Sequence, residues 1–379
     1  INIDRPKPLV PRYLRWGIRE RMNVNGEVLI QLEDKSIEQL LPMIDKNEIE
    51  AIAIGLIHSY ANSMHEEKIA ERLSAARPDL SITLSSQVCP EIREYERQST
   101  ACANAYVQPL MSRYLTKLDE ALQSMGFMCP FLLMTSGGGL TTLDTSIKFP
   151  VRLVESGPAG GAILATEIAK ECGIDNVLSF DMGGTTAKIC LIDDYTPQMT
   201  RTFEVARVYR NLKGSGLPLR IPAIEMVEIG AGGGSIAKVD EMKRISVGPE
   251  SSGASPGPAC YGQGGLDATV TDADVILGRI DPKDFAGGAV KLAPEKADLA
   301  LQTAVGDQLS LSGSLSAFGV SEIVDENMAN AARVHAIEWG KDISARSMIA
   351  FGGAAPLHAL RLAEKLEINK IIIPAGAGV

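Results

Sequence analysis

An alternation along the chain limits its fold more than any other feature. Short apolar runs of strand length are followed by longer stretches of helical character. "EIEAIAIGLIHS" is nearly continuous in apolar residues, as a strand buried on both faces would be. "NSMHEEKIAERLSAARP" follows it as a helix stopped before Pro78, and "LSITLSS" is the next strand. The order returns downstream. "CPFLLMTSGGGL" reads as a strand ending in a three-glycine turn, and "GPAGGAILATEIAKECG" as a helix opened by Gly157-Pro158 and closed at Gly173. Late in the chain, "SMIAFGGAAPLHALRLAEKL" reads as strand, glycine turn and helix. Strands separated by helices imply an α/β fold with a largely parallel sheet.

Other local signals refine this order. Asn25-Gly26 between extended runs signals a hairpin. Pro42 is expected to shorten the helix "SIEQLLPMIDKN", and Pro109 to break the helical region from Glu91 to Met125 in two. "SEIVDENMANAARVHAIEWGKD" is a further helix, and the stretch from Gly230 to Gly265 is rich in glycine and loops.

Composition removes several function classes. With 45% hydrophobic residues and a mean hydropathy of +0.06, the chain is globular rather than disordered. No apolar run approaches the ~18 residues of a membrane span. A net charge of -10 and a pI of about 5.1 argue against a nucleic-acid partner and fit a cytoplasmic protein. The six cysteines form no C-x-x-C pair and the four histidines no H-E-x-x-H motif, so a protein-held transition metal is not expected. Cys260 is read as a packed thiol, and at least one of Asp272 and Asp274 as a helix cap. The chain begins at Ile1 and ends in "IIIPAGAGV", and both ends look like cuts through a longer protein.

The most informative stretch is "NVLSFDMGGTTAKICLID", from Asn176 to Asp193. Two apolar runs flank an acid and a Gly-Gly-Thr-Thr turn. Gly183 and Gly184 let backbone approach an anion, and Thr185 and Thr186 add hydroxyl donors. Asp181, at the strand end, could hold a hydrated Mg2+ or orient a water. Lys188 could meet phosphate charge, or strand alternation could aim it elsewhere. An ordinary β-hairpin is the competing reading, and no P-loop motif is present. Two other turns accompany it. In "EIGAGGGSIA", Gly230, Gly232, Gly233, Gly234 and Ser235 follow a strand and suit ligand approach. Gly352 and Gly353, with Ala354, follow a strand and open a helix where a base and ribose could lie. The small residues of "GPAGGAILATEIA" would let two helices approach closely.

The order of small-residue helix, acid-Gly-Gly-Thr hairpin and late Gly-Gly turn resembles the second half of the actin-like ATPase fold, whose two lobes clamp ATP. The longer stretches "PEIREYERQSTACANAYVQPLMSRYL", "ESGPAGGAILA", "FDMGGTTAKICLI", "EIGAGGGSIAKVD" and "GPACYGQGGLDATVTDAD" resemble the hydantoinase A family, and the resemblance spans essentially the whole chain. That family comprises the ATP-using subunits of N-methylhydantoinase and related lactamases, and the matching portion of 5-oxoprolinase.

The resemblance implies a fold, a reaction and a site. The fold is a two-lobed, actin-like α/β ATPase, here a fragment without the first phosphate hairpin and the C-terminal region. Residues 1–174 would be the remainder of the first lobe and 175–379 the second. The reaction is ATP-dependent opening of a cyclic amide (a hydantoin, 5-oxoproline or a related lactam), with a γ-phosphoryl group moved onto the carbonyl oxygen. Asp181 and Lys188 would be catalytic, Asp181 also holding Mg2+ through water. Gly183, Gly184, Thr185, Thr186, Gly232, Gly233, Gly234, Gly352, Gly353 and Ala354 would bind ATP. Hydrolysis belongs to a hydantoinase B-type subunit or fused region, which implies a hetero-oligomer with no nucleic-acid or membrane partner. The same motifs serve acetone- or acetophenone-type carboxylase subunits, or an ATP-driven conformational switch. A chain with one phosphate hairpin and no hydrolytic partner is expected to be nearly inactive alone.

Overall fold

The computed structural model describes residues 4–209 and 214–378. The chain forms two compact units: Ile1–Ala159 with Met199–Ala223, and Gly160–Gln198 with Ile224–Val379. The boundary expected after residue 174 lies inside the second unit, between a helix and the strand it leads into. Residues 1–3 and 379, at the ends of the expected domains, lie outside the described residues.

In the first unit the strands Ala51–Ile54 and Ser81–Leu84 pair in parallel through the helix Met64–Ala76, a strand-helix-strand crossover as the alternation predicts. Ile54, Ile69, Leu73 and Leu84 close the core between them. Pro42 has its expected effect: the helical stretch divides into Asp34–Glu38 and Leu41–Lys46, with the proline in the first turn of the second. Pro109 does not. A single helix runs from Glu94 to Ser124 with Pro109 inside it. Tertiary contacts hold the helix through the missing N–H. The Asn104 side chain donates to Lys148 O and accepts from Val151 N, and Gln108 also reaches Lys148 O.

The second unit is built on a six-stranded sheet. Helix α1 (Ser156–Cys172) ends at Gly173, whose φ of +63° is the left-handed conformation that stops a helix. It leads into strands β1 (Asn176–Met182) and β2 (Ala187–Asp193), which pair antiparallel over their full length. Strand β3 (Val227–Ile229) adds antiparallel to β2. Strands β4 (Ser235–Val239) and β5 (Ile245–Ser251) form a separate hairpin. Helices α2 (Val270–Ile276) and α3 (Gly313–Glu338) follow. Strand β6 (Ser347–Phe351), helix α4 (Ala355–Leu366) and strand β7 (Ile371–Ile372) complete the unit. The sheet order is β3-β2-β1-β6-β7, with Thr196–Pro197 also pairing β2.

Only the β1·β6 and β6·β7 ladders of this sheet are parallel, so it is mixed rather than largely parallel. The short Gly-Gly-Thr-Thr link explains this, because a turn of that length can join only antiparallel neighbours. Strands β1 and β2 are largely buried on both faces, with Val177, Ser179, Cys190 and Ile192 on one of them. Leu178, Phe180, Ile189 and Leu191 are fully buried with Val320, Val324 and Met328 of α3 and Leu362 of α4. Each such side chain contributes about 1.5–3 kcal/mol of burial. In α4, Ala355, Ala359, Leu362 and Leu366 fall on one buried stripe, and Leu360 on the opposite face stays exposed. The small residues of α1 serve a close approach of another kind than helix on helix: a Cβ on Gly161 would lie 2.4 Å from the Phe351 ring of β6.

Candidate functional site

Three backbone segments meet at the tip of the β1-β2 hairpin. Asp181 stands near the end of β1, in parallel register with Phe351, the last residue of β6. Gly352 comes next. Its φ is +96°, and a Cβ there would lie 2.6 Å from both Asp181 Oδ1 and Met182 O, so glycine is needed on both counts. The Ala354 N–H then donates to Met182 O (2.9 Å), which joins the start of α4 to the hairpin. The acid at 181 and the turn at 352–354 thus share one sheet end, although about 170 residues separate them.

The loop after β3 packs against the same tip. The N–H of Gly233 donates to Gly183 O (3.0 Å) and that of Gly234 to Gly184 O (2.6 Å). Gly232 to Gly234 are buried, and their missing side chains are what permit the approach. A Cβ on Gly232 would sit 2.6 Å from the Thr185 backbone, and one on Gly233 would sit 2.7 Å from Thr271 Oγ1. Thr271, in the first turn of α2, donates its N–H to Gly233 O (2.7 Å). Ser235 accepts the Gly232 N–H at Oγ (2.9 Å).

The tip itself is open. Neither Gly183 nor Gly184 has a positive φ, and a Cβ on Gly183, Gly184 or Gly353 would meet nothing within 4 Å. The Gly183 N–H closes the turn onto Thr186 O (3.1 Å), and Gly184 and Thr185 are exposed. These glycines therefore leave space beside the backbone rather than provide an unusual turn conformation.

Electrostatics single out Asp181. Burial pushes its carboxyl above the ordinary aspartate value, and the nearby Lys188 ammonium acts against that rise. Lys188 is directly across the hairpin from Asp181 in register, and its Nζ is 3.5 Å from Glu228 Oε1. Among the described residues no cluster of three or more His, Cys, Asp or Glu side chains could hold a metal by itself. A cation at Asp181 would therefore need other oxygen ligands from its substrate and water, which is how Mg2+ is commonly held.

The residues beside this site behave as their surroundings require. Thr269 and Asp272 form a capping box at the start of α2, and Asp272 also accepts from the N–H groups of Ala259 and Cys260. Cys260 is fully buried, and burial together with the Asp272 carboxylate pushes its thiol far up, so it is a packed thiol and no nucleophile. Sequence reasoning overlooked Thr271, and with it His358, which lies buried between Asp274 and Asp325. No local pattern marks either residue, since their partners are distant in the chain. No helix among the described residues is long and apolar enough to cross a membrane.

Comparison with known proteins places these motifs. The hydantoinase/oxoprolinase family model matches residues 97–379, and the model of that family's N-terminal region matches residues 1–76. An uncharacterised protein of Methanocaldococcus jannaschii is 39% identical over 99% of this chain and 55% of its own length. The caprolactamase subunit alpha of Pseudomonas jessenii is 34% identical over 97% of this chain and 51% of its own. The nucleotide-free structure of an acetone carboxylase, described as ATP-dependent in its carboxylation, superposes with a TM-score of 0.84 at 28% identity, over 98% of this chain and 52% of that one. The chain thus spans about half the length of the curated relatives it matches. With both family models matching, and with relatives this similar over nearly its whole extent, the chain belongs to the hydantoinase/oxoprolinase family.

Proposed function

We propose that this chain is the nucleotide-using part of an enzyme that opens a cyclic amide (a hydantoin, 5-oxoproline or a related lactam) at the expense of ATP. The observation that carries the reading is the placement of Asp181 beside both the open hairpin tip and the Gly352 turn. The amide of a small unstrained ring resists water and tends to reclose. Phosphorylating its carbonyl oxygen makes the carbon electrophilic and couples opening to ATP consumption. Such a transfer asks for positioning and charge neutralisation more than for a covalent protein group.

The geometry supports the following roles. The exposed Gly184 and Thr185, with the half-buried Thr186, would offer backbone and hydroxyl donors to phosphate oxygens. Gly183 and Gly353 leave room for the nucleotide, and Gly352 and Ala354 hold the second turn against β1. Gly232, Gly233 and Gly234 brace the tip from its buried side. Asp181 is the acid to which a hydrated Mg2+ would bind, and when bound the ion would neutralise phosphate charge. Lys188, opposite Asp181 in the hairpin, would meet phosphate charge. The fold of the second unit is taken as the nucleotide lobe of an actin-like ATPase. Hydrolysis belongs to a B-type partner subunit or fused region, so the working form is a hetero-oligomer.

The likeness to acetone carboxylase favours a second reading, in which the activated carbonyl belongs to a ketone or to bicarbonate. One assay separates the two. The full-length protein, with whatever co-purifies, is screened with hydantoins, lactams and ketones for stimulated ADP formation, with and without bicarbonate. Stimulation by a cyclic amide without bicarbonate is expected, and Asp181→Ala is expected to abolish it. Stimulation only by a ketone with bicarbonate supports the carboxylase. ATP hydrolysis that no small molecule stimulates leaves a conformational switch. Undiminished stimulated turnover in Asp181→Ala overturns the site.

A further inference from the structure

Helices α2, α3 and α4 meet around a closed ring of charged side chains in the interior of the second unit. His358 of α4 lies between two carboxylates, with Nδ1 2.7 Å from Asp325 Oδ1 of α3 and Nε2 3.2 Å from Asp274 Oδ2 of α2. Arg279, just after α2, donates to Asp274 Oδ1 (3.0 Å) and to Ser321 Oγ (2.8 Å). Ser321 completes the ring by donating to Asp325 Oδ2 (3.4 Å). His358, Asp274 and Asp325 are each at most 1% exposed. A packed apolar cluster would join three helices at lower desolvation cost, so stability alone is a poor reason for such a ring.

What the ring joins supplies a better reason. Helix α2 carries Thr271, whose N–H holds the Gly232–Gly234 loop at Gly233 O. Helix α4 is entered from its N-cap residue Ala354, whose N–H holds the Gly352–Gly353 turn to Met182 O, beside Asp181. The two glycine segments that grip the hairpin are thus each held at the leading end of a helix, Gly232–Gly234 by Thr271 of α2 and Gly352–Gly353 by running into α4, and His358 bridges those helices about one turn in from each end. We propose that His358, with Asp274, Asp325, Arg279 and Ser321, is a positioning device that sets the spacing of the two glycine segments and so the placement of the hairpin tip and Asp181 for nucleotide. The proposal rests on the reading of that tip as the nucleotide site.

The geometry assigns the charge state. Both imidazole nitrogens face carboxylate oxygens, so both carry hydrogens and the ring is an imidazolium. Burial by itself would lower the His358 pKa, but the bonds to Asp274 and Asp325 outweigh it and bring the value up to about 9. The charged groups that face it are Asp274 from α2 and Asp325 from α3. Arg279 and the Ser321 hydroxyl complete their coordination, and strands β1 and β6 under α4 contribute apolar side chains such as Phe180 and Met348. Because the folded pKa lies above the ordinary 6.5, the stabilisation is complete below that value and is lost as pH rises through about 9.

The test is equilibrium binding of a non-hydrolysable ATP analogue with Mg2+ to the full-length protein and its co-purifying partner, from pH 6.5 to 10, beside thermal melting. The unaltered protein should lose affinity about tenfold as pH passes 9. His358→Gln should bind about tenfold more weakly at pH 7.5, with a flat profile above it. Ser321→Ala opens the ring without burying a bare charge, and should weaken binding about threefold while the protein stays folded. Variants that melt lower but keep the unaltered affinity and pH profile would show a purely structural ring and overturn the proposal. No analogue binding by the unaltered protein overturns the nucleotide reading itself, and this inference with it.

Discussion

At Gly352 and Gly183 two glycines of one site answer to different constraints, and substitution separates them. Gly352→Ala places a Cβ against Asp181 and the Met182 carbonyl at a φ of +96°. It should destabilise the protein by about 2–3 kcal/mol and abolish ATP turnover, as melting and ADP release would record. A Cβ on Gly183 meets nothing, so Gly183→Ala should change stability by no more than about 0.5 kcal/mol. It should still cut ATP turnover about tenfold or more, because the methyl takes space meant for phosphate. Full turnover in Gly183→Ala would mean that no ligand approaches the tip. Asp181 gives a third contrast. A carboxyl whose folded pKa is raised above 3.8 costs stability once ionised, and that cost develops as pH rises through the folded value. Asp181→Asn should therefore melt no lower than the unaltered protein at pH 7, and stimulated turnover should fall about 100-fold. A large drop in melting temperature would make the acid structural.

Pairs of helices show which polar contacts matter for stability. Between α3 and α4, Arg361 makes two bonds to Glu322 (2.6 and 2.9 Å), and Lys365 bridges Glu322 and Glu326 (3.1 and 3.0 Å). These bonds, led by Arg361, hold the Glu322 carboxyl down at about 2. A depressed carboxylate stabilises the fold above its unfolded pKa of 4.5, and that contribution is lost as pH falls toward 2. The Arg361 side chain is 41% exposed, so solvent screening limits the gain. Glu322→Gln should cost about 1 kcal/mol at pH 7 and nothing near pH 2, as urea midpoints at the two pH values would test. An equal loss at both would mean that packing, and not charge, is what Glu322 supplies.

Across the whole molecule the free thiols report which surfaces are packed. Cys129 and Cys172 are exposed, whereas Cys89, Cys190 and Cys260 are buried. Burial pushes the Cys190 thiol up to about 12 and raises Cys89 and Cys260 as well. Maleimide labelling of the native protein at pH 7.5, followed by peptide mass analysis, should modify Cys129 and Cys172 within minutes and spare the buried three until denaturant is added. Rapid native labelling of Cys260 would contradict its place in the core beside Asp272.

What the sequence determined by itself is local, or carried by long family motifs. The β1-β2 hairpin was legible because its apolar runs and four-residue turn act within one pair of strands. A capping role for Asp272 and the shortening of a helix at Pro42 were legible for the same reason, since each is decided within a turn of chain, whereas the N-cap Thr269 was not singled out. The family was legible because stretches such as "GPACYGQGGLDATVTDAD" carry many specified positions together. The tertiary structure alone decided the rest. Helix continuity at Pro109 depends on Asn104 and Gln108 reaching residues about 40 positions away. The use of Gly161 depends on the Phe351 ring, and the need for glycine at 352 depends on Asp181. The ring around His358 joins residues that span 84 positions. Contacts of that range leave no period in the sequence, because each is created by the packing of elements that are individually complete without it.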